Sequence, residues 1–94
     1  MDGIEDLESL RFAVESLGKN QRKVLGVLIR YPGHGMFGSE IGRRTSLKAS
    51  TLSGTYKSLE ARGLIERAYP TQPPFSVFVF LTPLAISYFN TEVK

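Results

Sequence analysis

Cysteine is absent from the 94 residues. That excludes disulfides and thiolate metal sites and makes a cell interior (the cytoplasm) the expected location. Tryptophan is absent too, so the core must be built from aliphatic side chains, six phenylalanines and four tyrosines. No run approaches the ~18 apolar residues of a membrane span. The start, MDGIEDLESL, is acidic and lacks the basic opening of a secretory signal. Histidine occurs once, as His34 between two glycines. A lone loop imidazole without a histidine or cysteine neighbour offers neither a metal-ligand set nor a catalytic pair. The phosphate-binding run Gly-x-x-x-x-Gly-Lys-Ser/Thr is missing, and Gly33-x-Gly35 follows no strand. The sequence therefore predicts a noncatalytic chain with no metal site and no cofactor.

Charge of one sign is also scarce in places. Residues 1–18 carry five acidic groups against Arg11 alone, a balance of −4. Residues 19–59 carry eight basic groups against Glu40 alone, a balance of +7. From Ala68 to Val93 there is no lysine or arginine. A basic middle beside an acidic end is the charge pattern of a small polyanion-binding domain.

The apolar pattern divides the chain into short elements of one domain, residues 4–90. Ile4, Leu7, Leu10, Val14 and Leu17 recur at steps of three and four, one stripe of a helix that Gly18 ends. Asn20 is the expected cap of a second helix, whose inward face is Val24, Leu25, Leu28 and Ile29. Tyr31 before a proline stops it, and Gly33, His34 and Gly35 read as a flexible link. A short helix over residues 39–45 turns Ile41 inward. Ser46 stands in the turn that follows, where a left-handed conformation is expected. Residues 49–62 form the next helix, with Leu52, Tyr56 and Leu59 at steps of four and three. Gly63 closes it.

Leu64 and Ile65 then open a strand, and FSVFVFL makes a second one, with Val77, Val79 and Leu81 on one side and Phe78 and Phe80 on the other. These phenylalanines, with Phe75, belong either to the core or to a protein-contact surface. Thr82 caps a last helix with Pro83 in its first turn and Leu84, Ala85, Tyr88 and Phe89 on its apolar side. The expected fold is mainly α with a β-hairpin: a three-helix core, a two-stranded wing and a C-terminal helix, which together make a winged helix-turn-helix. Leu25, Leu28, Ile41, Leu52, Tyr56, Leu59 and Leu64 are its expected core.

The helix over residues 49–62 would face DNA. Small polar groups at its start, Ser50, Thr51, Ser53 and Thr55, let a backbone approach phosphate. Lys48 and Lys57 add charge at its margins, and Arg43 and Arg44 add more from the preceding helix. Lys19, Arg22 and Lys23 would support them on the phosphate backbone. Gly54 in mid-helix removes one base-reading side chain and costs about 1 kcal/mol of helix propensity. The wing lacks the basic residue that would probe a minor groove. Binding mainly through phosphate is expected from these features.

SEIGRRTSLKASTLSGTYKSLEARGLIER, with its Leu59, Gly63, Leu64 and Ile65 closure, resembles the helix-turn-helix and first wing strand of MarR-like regulators. LGKNQRKVLGVL, the segment from Met36 to Ile65, and LTPLAISYF are similar to the winged-helix domain at the carboxyl end of archaeal and bacterial AAA-type ATPases. Lys19-Asn20-Gln21 and Leu81-Thr82-Pro83-Leu84 carry that second likeness. The first resemblance implies a regulator that binds double-stranded DNA and pairs as a homodimer through its terminal helices. The second implies an interaction module attached to an ATPase domain, with protein as its partner.

Overall fold

The computed structural model of the chain describes residues 11, 12, 14–72 and 76–92. The expected stripe at Ile4, Leu7 and Leu10 lies outside them; Leu17, at its end, is buried in the core.

Helix α1 (Lys19–Arg30) buries Val24, Leu25 and Leu28. It is not capped by Asn20, which lies inside the first turn. Gly18 precedes the helix in extended conformation, and its N–H donates to the Gln21 side chain at 2.6 Å. The glutamine thus reaches back over the helix start in the manner of a capping box, but from one side only. Tyr31 ends α1 in the β region, as a residue before proline must.

The expected flexible link is ordered. A 3₁₀ turn over Pro32–His34 leads directly into strand β1 (Gly35–Phe37). Gly33 takes a φ of 84°, and the half-buried His34 ring places Nδ1 3.2 Å from the Leu28 carbonyl oxygen. Helix α2 (Gly38–Thr45) follows, and Ser46 ends it at φ 62°, the left-handed conformation expected of it. Helix α3 (Ala49–Ala61) buries Leu52, Thr55, Tyr56 and Leu59. Gly63, at φ 76°, returns its N–H to the Glu60 carbonyl at 2.9 Å, and Leu64 returns its own to Leu59 at 3.0 Å. This pair of bonds closes a helix on a left-handed glycine.

Strands β2 (Ile65–Ala68) and β3 (Phe78–Leu81) form the expected hairpin, but the sheet has three strands, not two. The order is β1-β3-β2, with every pair antiparallel. Alternation along β3 sends Val79 and Leu81 into the core. Phe78 and Phe80 lie on the opposite face, where Phe37 packs edge-on against Phe78 with ring centres 5.2 Å apart. Gly35 sits opposite Phe80, and a side chain there would strike the Phe78 ring at 2.8 Å.

Thr82 links the hairpin to helix α4 (Pro83–Glu92). Its hydroxyl donates to the Gly63 carbonyl at 2.8 Å and accepts the Ala85 N–H at 3.1 Å. All seven expected core residues are buried, joined by Met36, Val79, Leu81, Ala85, Tyr88 and Phe89. The architecture is mainly helical with a β wing, a winged helix. Among the described residues, no helix is long and apolar enough to cross a membrane.

Candidate nucleic-acid interface

Helix α3 turns one face to the core and the other outward. Lys48, Ser50, Ser53, Gly54 and Lys57 are exposed, and Thr51 is half-buried. Lys48 precedes the helix without any side-chain cap, so the first turn keeps the positive end of its dipole for an outside anion.

Two grooves flank this outward face. On one side, the start of α1 faces α3 across a groove of about 490 Å³ lined by Lys19, Asn20, Ser50, Thr51 and Gly54. Gln21 pins the two helices there, its Nε2 donating to Ser58 Oγ at 2.5 Å. Gly54 lies in the groove with no atom within 4 Å of where a Cβ would stand, so close packing within the chain is not the reason for this glycine. On the other side, a cleft of about 390 Å³ separates α3 from the start of α2 and the base of the wing. The wing is fastened to α2 here: the Gly38 N–H donates to the Val77 carbonyl at 2.7 Å, and the Ser39 N–H to Ser76 Oγ at 3.1 Å. Ser76 therefore caps α2 from 37 residues away, a role no local sequence signal announces.

The eleven expected contact residues do not form one surface. Lys48, Ser50, Thr51, Ser53, Lys57 and Lys19 fall together around the outward face of α3. Lys23 is exposed one turn along α1 from Lys19. Thr55 is a correction: it is only 7 % exposed, and its hydroxyl donates to the Thr51 carbonyl at 2.8 Å. The i−4 carbonyl takes up the donor and removes it from the surface.

Arg22 is exposed but leans toward the other side of α1. Its Nε donates to the Leu17 carbonyl at 3.2 Å, and the side chain lines a cavity with Val14, Leu25 and Phe89 rather than the α3 groove. The arginine pair stays exposed but is engaged by a carboxylate. Glu40 accepts from both Arg43 and Arg44, the latter at 2.7 Å, and Arg44 lies over the Tyr31 ring beside Arg30, away from α3. These hydrogen bonds hold the Glu40 carboxyl below its ordinary pKa and the Arg43 guanidinium above its own. Two of the eight positive charges counted along residues 19–59 are therefore shared with one carboxylate.

Behind α3, Arg67 of β2 donates to Glu60 through Nε at 2.9 Å and Nη2 at 2.7 Å, and stands over the Tyr56 ring, 5.7 Å from its centre. These contacts lock the wing to the last turns of the helix. The described residues contain no cluster of histidine, aspartate and glutamate able to hold a metal ion.

A model of the MarR family matches residues 17–72, a span that runs from the start of α1 through β2. No curated protein matches the sequence. Among solved structures, disulfide-formed AbfR superimposes with a TM-score of 0.74 at 21% identity, over 89% of this chain and 55% of that one. NadR in complex with 4-hydroxyphenylacetate superimposes with a TM-score of 0.68 at 17% identity, over 93% of this chain and 62% of that one. The chain thus spans between half and two thirds of the length of these neighbours, and the likeness shows the winged-helix fold. None of these findings supports the likeness to ATPase winged-helix domains.

Proposed function

The chain belongs to the MarR family, and on that premise we propose that it binds double-stranded DNA as a transcription-regulator domain, with α3 laid against the duplex. Membership of the family implies a DNA-binding winged-helix regulator. The observation that carries the reading for this chain is the outward face of α3, where Lys48, Ser50, Ser53, Gly54 and Lys57 are all exposed. Serine hydroxyls, an uncapped helix start and lysines at both margins suit phosphate better than base edges. Lys19 and Lys23 extend the positive stripe across the groove that Gly54 leaves open. Contacts therefore go mainly to phosphate, and sequence reading is weak. We also infer an intracellular role and pairing through the terminal helices. Phe12, at 77 % exposed, is the apolar residue most in need of cover at that end.

Salt dependence tests this reading. Four lysines meeting phosphates predict that affinity for duplex DNA falls about a hundredfold between 50 and 200 mM salt. An absence of binding at the lower salt would overturn it.

A further inference from the structure

We propose that Ser46 is a phosphoryl-acceptor site for a serine kinase that selects basic sequences, and that the phosphoryl group repels duplex DNA from the start of α3. The second half rests on the DNA-binding reading above. Ser46 is exposed and holds a φ of 62° at the end of α2. Glycine takes that left-handed conformation freely, whereas a side chain strains it. A serine held there points to a use for its hydroxyl. Its N–H donates to the Gly42 carbonyl at 2.8 Å, while the hydroxyl has no partner among the described residues. The neighbouring hydroxyl is committed: Thr45 is buried and donates through Oγ1 to the Ile41 carbonyl at 2.8 Å.

Arg43 and Arg44 stand three and two residues before Ser46, with side chains 70 % and 45 % exposed. Two adjacent guanidiniums suit an acidic docking surface, where each can meet a carboxylate through two hydrogen bonds. No other serine or threonine of the chain has basic residues at both of those places. In the transfer, Ser46 Oγ bonds to the γ-phosphorus of ATP as the bond from that phosphorus to the bridging oxygen breaks. ADP leaves with the electron pair of that bond, and the hydroxyl proton passes to a carboxylate of the kinase.

A phosphoserine carries about −1.5 to −2 charges at pH 7. Here it would stand two residues before exposed Lys48, ahead of an α3 start that no side chain caps. Its effects on the fold oppose one another. It lies at the negative end of the α2 dipole and close in sequence to the positive end of the α3 dipole. Arg43 and Arg44, now shared with Glu40, are nearby counter-charges. The fold therefore changes little, while the positive field over the first turn of α3 is weakened and phosphates of DNA are repelled.

The test treats the whole chain with magnesium-ATP and the catalytic subunit of the cyclic-AMP-dependent kinase, a serine kinase that selects paired arginines. One phosphoryl group should be incorporated, and fragmentation mass spectrometry should place it on Ser46 rather than on exposed Ser50 or Ser53. Replacing both arginines, Arg43→Gln with Arg44→Gln, should cut incorporation about tenfold or more. The purified modified chain should keep its Tm and bind duplex DNA about tenfold more weakly at 50 mM salt, with the gap closing as salt rises. The proposal falls if no phosphoryl group is incorporated or if it goes to another residue. It also falls if the modified chain binds DNA as tightly as the unmodified one, or if a lowered Tm accounts for the lost binding. An unmodified chain that binds no DNA overturns the regulator reading instead, and incorporation at Ser46 is read without DNA.

Discussion

Arg67 holds Glu60 with two parallel hydrogen bonds, 2.9 and 2.7 Å long, and so ties the first wing strand to the last turns of α3. The pair is partly buried, bidentate and joined to the aromatic faces of Tyr56 and Tyr69. Such geometry contributes more than an exposed ion pair does. The Arg67 guanidinium lowers the Glu60 pKa below the ordinary carboxylate range, and burial opposes it only in part.

Glu60→Gln should therefore cost about 1–2 kcal/mol at neutral pH. The sign of its pH dependence follows from the lowered carboxyl pKa. The stabilisation is complete above the unfolded value of about 4.3 and is lost as pH falls through the lower folded value. Urea melts of wild type and Glu60→Gln should differ at pH 7 and converge in strong acid. A gap that persists undiminished below about pH 2 would show that the substitution acts through shape instead.

Leu52→Ala should cost ~2–5 kcal/mol, because Leu52 is a buried side chain packed where α3 crosses α2. Denaturant melts decide the matter; a loss under about half a kcal/mol would mean that the site refills from its neighbours.

The lysine assignment separates residues that charge alone treats as equal. Lys57→Ala should weaken DNA binding severalfold and lower the salt slope by about one. Arg22→Ala and Arg44→Ala should leave both within about twofold, since these side chains turn to Leu17 and Glu40. Equal losses for all three would point to a diffuse field rather than a defined face.

These differences trace the limit of what periodicity conveys. The phase of α3 was legible because Leu52, Tyr56 and Leu59 repeat at helical spacing and a helix has only one inward side. Gly63 and Thr82 were legible because their roles are local, set by φ and by a hydroxyl three residues from an amide. Strand β1 was not, because three residues between glycines and a proline carry no alternation; only pairing with β3 makes them a strand. Thr55 looked like a surface hydroxyl because its back-bond to Thr51 is invisible in composition. Arg43 and Arg44 counted as free charge because Glu40 was weighed in the sum and not placed three and four residues before them, where a helix brings it into reach.

Gly54→Arg tests the DNA-facing face most directly. The position is exposed, and a Cβ there meets nothing within 4 Å, so a side chain can start from this position without displacing a neighbour. Replacing glycine in a helix interior should stabilise the fold by somewhat under 1 kcal/mol, given the better helix propensity of arginine. The new guanidinium enters the groove between Lys19 and Ser50, where the proposed phosphate contacts lie. Duplex DNA should then bind more tightly, with a salt slope steeper by about one, and Tm should be unchanged or higher. Weaker DNA binding with an intact Tm would mean that the duplex backbone needs the space glycine leaves. That outcome would replace an open groove awaiting a side chain with close contact between α3 and DNA.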